Sequence, residues 1–323
     1  MYAMDNNTKP ILVVSKCLGF DKCRYDGSMI ENEFIEKLKK YVEIIPFCPE
    51  VQCGLSIPRD TLRIVELDEK KELIQLKTER NLTNEIINSS EKFLSDLKEI
   101  DGFILKCKSP SCGVKDAKIY SSIEKGSAVK KGKGFFSEKV IEHFPYLPLE
   151  DEGRLNNFKI REHFLSRIFI LADFRKAKLT LNFDELRKFH IKNTMLFIAY
   201  NHKYSKILDS LIFNEPDNLE TVFKEYEFNL HRLLQRAPRY TSNINVILKA
   251  VEQFKDKITD EEMQFIWNTI DKYRNGYIPF SVLLYLVKGY IIRFELDNLL
   301  NQTFFMPYPE ELILLNDSEN IIN

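Results

Sequence analysis

A chain of 323 residues has room for two domains, and with 44% hydrophobic and 29% charged residues it can build ordinary cores rather than stay disordered. Its formal net charge of −1 means that any nucleic-acid binding has to come from a local basic patch, not from the overall field. No uncharged apolar run reaches the roughly 18 residues that span a bilayer, and the N-terminus lacks an apolar leader core, so a cytoplasmic protein with reduced thiols and no membrane partner is expected.

The first part of the chain alternates strand and helix patterns. A strand is expected at 11–15, then a helix over 31–40 that aligns Phe34, Ile35 and Leu38, then a second strand at 42–47. Thr61-Leu-Arg-Ile-Val-Glu-Leu and Leu73-Ile-Gln-Leu-Lys, joined by the charged turn Asp68-Glu-Lys-Lys-Glu, predict a hairpin. Thr83 is placed to N-cap a helix over 84–98 with Ile86, Ile87, Phe93, Leu94 and Leu97 as its apolar positions. A third strand follows at 101–106. This order predicts an α/β domain over residues 1–150, with a parallel sheet and right-handed crossovers. The stretch from Lys125 to Lys139, rich in glycine and lysine, is expected to be a mobile basic surface loop.

Residues 151–323 contain no cysteine and little β patterning. Helices are expected over 156–175, 183–200, 203–212, 218–236, 241–256, 260–274 and 279–297, with Asp260 and Pro279 as helix starts and Gly276 in a break. Short connections predict an all-α domain built as an antiparallel bundle, with Phe304 to Pro309 as an extended tail packed on it.

All six cysteines, Cys17, Cys23, Cys48, Cys53, Cys107 and Cys112, lie in the first 112 residues. Three of them end apolar runs: Ile11-Leu-Val-Val-Ser-Lys-Cys17, Val42-Glu-Ile-Ile-Pro-Phe-Cys48 and Gly102-Phe-Ile-Leu-Lys-Cys107. In open parallel sheets chemistry gathers beyond the carboxyl ends of the strands, so cysteines distant in sequence can meet at one edge. Thiolates select zinc, copper(I) or iron–sulfur clusters. The spacings Cys48-x₄-Cys53 and Cys107-x₄-Cys112 are marginal for zinc knuckles, whereas an iron–sulfur cluster can draw ligands from separate loops. Three thiolates would leave one iron open as a Lewis acid. Cys48-Pro-Glu50 sets a carboxylate two residues past a thiol, and Ser109-Pro-Ser111-Cys112-Gly113 adds hydroxyls. Water activation and proton transfer need such groups. The same Pro-Glu and Ser-Pro pairs also serve as plain strand-to-helix turns.

Four stretches together resemble the thiouracil desulfidase family: Val14-Ser-Lys-Cys17-Leu-Gly19, Cys23-Arg-Tyr-Asp-Gly27, Cys48-Pro-Glu-Val-Gln-Cys-Gly-Leu55 with Pro58-Arg59, and Lys106-Cys-Lys-Ser-Pro-Ser-Cys-Gly113. The likeness covers residues 9–150. Glu152-Gly-Arg-Leu155 and Arg161-Glu-His-Phe-Leu-Ser-Arg167 resemble the joining sequence of longer members, and residues 180–312 resemble the YbgA-like helical domain fused there. The resemblance implies a [4Fe–4S] cluster held by Cys17, Cys48 and Cys112, with one open iron for a thiocarbonyl sulfur. It implies an acid–base role for Glu50 and a catalytic serine at Ser109, with Ser111 as the alternative. The implied reaction is a hydrolytic, non-redox exchange of C=S for C=O, and the implied substrate of fused members is 4-thiouridine in tRNA. Cys53 stands where the family usually has glycine, and Cys107 adds a thiol beside the site; both, like Cys23, are expected not to ligate.

Other residues carry weaker signals. Arg24 and Asp26 are candidates to touch substrate from the wall of a pocket, although the aspartate suits a turn equally well. His143, His163, His190, His202 and His231 show no ligand spacing and are expected to be structural or on the surface. Arg232, Arg236 and Arg239 form either a phosphate contact or a solvated face. Two further readings fit the same residues. One is a desulfidase of free thiouracil whose helical domain serves oligomerisation. The other is a redox-sensing or metal-storage module that does no chemistry.

Overall fold

The computed structural model describes residues 8–313 except 125, 127, 128 and 214. The chain forms two compact units, Met1–Ala172 with Pro309–Asn323 and Asp173–Tyr308, and the division falls within the helix Phe158–Thr180.

The first unit runs β1 (Ile11–Ser15), α1 (Glu33–Leu38), β2 (Glu43–Phe47), α2 (Pro49–Gln52), β3 (Leu62–Leu67), β4 (Lys70–Gln75), α3 (Thr83–Asp96), β5 (Gly102–Leu105), β6 (Ala117–Tyr120), β7 (Lys130–Gly132), α4 (Phe135–His143) and β8 (Leu149–Asp151), and α5 (Phe158–Thr180) follows. As expected, the main sheet is parallel; its order is β2-β1-β5-β8. Its middle strands are apolar without alternation because both faces are covered. Leu12, Val13 and Val14 of β1 and Phe103, Ile104 and Leu105 of β5 are fully buried. Phe47 at the end of β2 stacks on Phe93 of α3 with ring centroids 3.7 Å apart, and both pack toward Phe136 of α4.

The expected hairpin is β3-β4, and it belongs to a second sheet of order β4-β3-β6-β7. Its turn is shorter than the charged run suggested. Only Asp68 and Glu69 form it, with φ of 48° and 65°, and the strand resumes at Lys70. Two successive left-handed residues twist the chain as a two-residue hairpin requires. Thr83 does not cap α3. It is the first helical residue, and its hydroxyl accepts the Leu73 N–H at 2.9 Å, tying the helix to the hairpin.

The Lys125–Lys139 stretch is also not one loop. Lys130–Gly132 pair with β6, and α4 begins at Phe135; Lys125 itself lies outside the described residues. Lys130 meets Glu66 at 2.6 Å, and Lys139 meets Glu91 and Glu142 at 3.0 and 2.9 Å. The start of α4 rests on the loop after β5. Gly134 N–H donates to Gly113 O and Phe136 N–H to Ser111 O, each at 2.8 Å. A Cβ on Gly134 would stand 2.6 Å from the Ser111 carbonyl, so glycine is what permits the approach.

The second unit contains the rest of α5 and α6 (Phe183–Tyr200), α7 (His202–Phe213), α8 (Leu219–Leu233), α9 (Tyr240–Val251), α10 (Asp260–Arg274), α11 (Phe280–Arg293) and α12 (Asp297–Leu300). Side-chain caps set several starts. Asn182 accepts the N–H groups of Asp184 and Glu185, and Asn218 accepts that of Thr221. Thr259, one residue before the expected start, forms a capping box with Glu262. Gly276, at φ +76°, turns the chain between α10 and α11. The core is aromatic: Phe174, Phe189, Phe197, Phe223 and Tyr226 are buried together. Within it His190 meets Tyr226 Oη and Asp209 Oδ1, each at 2.9 Å. The tail is not simply extended, since Thr303–Phe305 make a 3₁₀ turn that buries both phenylalanines. Among the described residues no helix is long and apolar enough to cross a membrane.

Two outcomes follow from this packing. Gly134→Ala is expected to overpack the α4 start at a cost of about 1–3 kcal/mol, lowering the thermal midpoint and loosening the 109–113 loop in hydrogen exchange; parental stability would refute the contact. His190 is the second case. Burial lowers its pKa by more than Asp209 raises it, so the folded state binds fewer protons than the unfolded one. The stability it contributes is complete above the ordinary imidazole value of about 6.5 and is lost as pH falls through the lowered folded value. Melts at descending pH should show that loss in the parent and less of it in His190→Gln.

Candidate active site

All four strands of the parallel sheet point the same way, so the chain leaves β1, β2, β5 and β8 at one edge. Loops after three of them line a cavity of about 370 Å³. Ser15, Lys16 and Cys17 come from the end of β1, Cys48 and Glu50 from the β2–α2 junction, and Lys106 to Pro110 with Cys112 from the loop after β5. Cys23, Arg24, Tyr25 and Arg59 complete the wall.

The thiols converge there. Cys23 lies against both Cys17 and Cys48. The hydrogen bond to Cys17 and burial push the Cys23 thiol up to about 11. The Cys23 contact and burial raise Cys48 as well, and burial raises Cys112, whose sulfur also lies against the Ser15 and Ser109 hydroxyls. Cys17, Cys48 and Cys112 are thus brought to one place, and Cys23, expected not to ligate, lies among them. Cys53 does not line the cavity. Its thiol donates to Glu50 O at 3.2 Å and packs with Leu62 and Ile87 against the second core.

The local sequence fixes Glu50. A residue before proline is held extended, and Cys48 sits at φ −129°, ψ 107°; Pro49 then opens α2 with Glu50 in its first turn. Arg59 Nε and Nη2 donate to Glu50 Oε2 at 2.9 and 2.7 Å, and Ser111 Oγ donates to Oε1 at 2.9 Å. The two serines therefore differ. Ser109 lines the cavity, and its hydroxyl accepts the N–H groups of Ser111 and Cys112 at 3.2 and 3.0 Å. Ser111 is fully buried behind it, against Glu50. Lys108 holds a left-handed φ of 57°, braced by Asp116, whose carboxylate accepts its N–H at 2.8 Å.

Arg24 lines the cavity with its guanidinium 5.8 Å from the Tyr25 ring. Asp26 does not line it. Its carboxylate accepts from Ser28 N and Oγ at 3.0 and 2.6 Å, which holds its pKa below the ordinary carboxylate range and makes it the turn-former.

Three residues escaped the sequence reading. Arg59 was visible only as part of a motif, with no role attached. Lys106 and Glu152 form a half-buried group with Cys107: Lys106 Nζ contacts Glu152 Oε1 and stands 3.1 Å from Cys107 Sγ, and Glu152 accepts the Cys107 N–H at 2.8 Å and its thiol at 3.0 Å. Asp151 lies beside them, and burial raises its pKa. The lysine ammonium already supplies the cation among these carboxylates, so Cys107 has its partners within the protein. Only the position of Glu152 just past a strand could have signalled the group.

Comparison with known proteins follows this division. A model of the 2-thiouracil desulfurase family matches residues 12–152, and one of DUF1722, a family of unknown function, matches residues 194–309. The uncharacterised protein YbbK of Bacillus subtilis (strain 168) is 34% identical over 111 residues, spanning 32% of this chain and 73% of that protein. A solved structure of the [4Fe-4S]-dependent thiouracil desulfidase TudS is 27% identical, with a TM-score of 0.38, over 46% of this chain and 94% of its own. The chain therefore belongs to the 2-thiouracil desulfurase family, and carries a DUF1722 region after the segment that places it there.

Proposed function

We propose that this protein is an iron–sulfur-dependent desulfidase that exchanges the sulfur of a thiolated uracil for oxygen, with 4-thiouridine in tRNA as its substrate. The observation that supports this most is the meeting of Cys17, Cys48 and Cys112 with Glu50 and Ser109 around one cavity, from loops as far apart as residues 17 and 112. The donor set fits such a cluster. The thiols lining the cavity are the soft ligands that such a cluster takes. Cys17, Cys48 and Cys112 would hold the cluster, with Cys23 beside the first two. A cluster bound by three thiolates supplies an open, soft, Lewis-acidic iron suited to a thiocarbonyl sulfur.

The chain's own residues carry the proton work. Glu50 takes a proton from water as the water oxygen bonds to the thiocarbonyl carbon. The C–S bond then breaks, the sulfur leaves as hydrosulfide, and the carbon keeps the oxygen as C=O. Water supplies the oxygen and the protons, so no electrons are exchanged. Ser109, on the wall, would donate a hydrogen bond to the reacting base, and Ser111 steadies Glu50 from behind. Reduced thiols are required, which in this reading puts the reaction in the cytoplasm.

The volume of about 370 Å³ suits one base and its sugar, so free thiouracil is the competing substrate. A base alone gives the helical unit no part in binding. Lys131 and Lys133 are exposed and Arg236 and Arg239 lie near the α8–α9 connection, where RNA phosphates could meet them.

The central test is anaerobic purification with iron and sulfide measured, then sulfide release from thiolated tRNA and from thiouracil. Cys17→Ala, Cys48→Ala and Cys112→Ala should each lose cluster absorbance and turnover, and full iron in Cys48→Ala would remove it from the ligand set. Glu50→Gln should keep its iron and turn over about 10²–10⁴ times more slowly. Charge reversal at Lys131, Lys133, Arg236 and Arg239 should flatten the salt dependence of tRNA binding by about 0.9 in log–log slope for each phosphate no longer neutralised. It should spare thiouracil turnover; equal losses on both substrates would favour the free base.

A further inference from the structure

We propose that Arg59 is a positioning residue for Glu50: it selects the carboxylate oxygen that handles the proton and locks that carboxylate to the turn lining the cavity. The inference rests on the proton-handling role proposed for Glu50. Arg59 has a side chain only 3% exposed, and it spends its donors on few partners. Nε and Nη2 both end on Glu50 Oε2, at 2.9 and 2.7 Å. Nη2 also reaches Cys23 O at 3.0 Å, and the backbone N–H reaches Tyr25 O at 2.8 Å. One residue therefore joins the carboxylate to the turn that carries Cys23, Arg24 and Tyr25 into the cavity.

The two oxygens of Glu50 are left unequal. Oε2 accepts two guanidinium N–H groups, whereas Oε1 accepts one hydroxyl, from Ser111. A carboxylate oxygen has two lone pairs, so Oε1 keeps one for a water proton. Without the clamp, a glutamate in the first turn of the four-residue α2 would sample several rotamers. A planar fork is what the arrangement demands. Lysine would keep the charge but give one movable contact instead of two fixed ones.

The test compares the parent, Arg59→Lys, Glu50→Gln and the double variant Glu50→Gln/Arg59→Lys as anaerobically loaded full-length proteins. Iron content, thermal midpoint, kcat and KM for thiouracil are measured on each. Arg59→Lys should hold its iron, keep its KM and lose about 10²-fold in kcat, as a displaced catalytic group does. The double variant should be no slower than Glu50→Gln alone, because a residue that acts through Glu50 has nothing to do once the carboxylate is gone. Parental kcat in Arg59→Lys, a raised KM with unchanged kcat, or additive losses in the double variant would each overturn the inference. An Arg59→Lys protein that cannot hold its iron also overturns the inference, because a residue that acts only through Glu50 leaves the thiols in place. Failure of the underlying reading is separate: it shows as a parental rate in Glu50→Gln itself.

Discussion

Parallel strand direction is the constraint on which the rest of this unit depends. Strands β2, β1, β5 and β8 all run the same way, so every loop that leaves a carboxyl end leaves at the same edge. The thiols of Cys17, Cys48 and Cys112 lie far apart in the chain, yet each follows a strand that pairs directly with β1 or is β1 itself. The buried strands set the separation of those loops, and the packing of Phe47, Phe93 and Phe136 sets how rigidly they are held. The α4 start then closes on the Ser111–Gly113 backbone through Gly134, so the last of these loops is fixed from outside as well as from the sheet.

Charge is handled locally at the cavity. Arg59 meets Glu50, Lys106 meets Glu152, and Lys16 meets Asp21 at 2.7 Å. The first two pairs are largely buried, and such pairs contribute little net stability, because desolvation consumes most of the attraction. Their effect is directional. Each holds a side chain at one place on the wall, and removing one member strands the other in a medium that penalises an unpaired charge. The half-exposed Lys16–Asp21 pair carries little such penalty and adds little.

What the sequence revealed and what it hid divide along physical lines. Strands β1 and β5 were legible because double-sided burial leaves a continuous apolar run, and α6 and α10 because apolar residues recur at helical spacing. Strands β6, β7 and β8 were not, since three or four residues with lysines or carboxylates among them carry no readable period. Lys130–Gly132 looked like loop for that reason, and pairing with β6 overrode composition. Thr83 has the chemistry of a cap, but a hairpin N–H competed for its hydroxyl. At the site, thiols and Glu50 announced themselves through motifs. Arg59 and Glu152 act on groups 9 and 45 residues away, and no local pattern encodes such a partnership.

Cys48-Pro49-Glu50 shows how little backbone the chemistry needs. Proline holds Cys48 extended, so its thiol stays at the strand end among the other sulfurs, and the chain turns at once into α2. Glu50 is thereby sent toward Arg59 and Ser111. A thiol and a carboxylate two residues apart thus face different partners with almost no freedom between them. A shift of the β2 end that displaced the thiol would displace the carboxylate too. The arginine and serine that grip Glu50 come from two other loops, so the carboxylate is located by tertiary contacts and the thiol by the sheet. That division lets a single short junction serve both, and it couples any loosening of either loop to the geometry of the whole cavity.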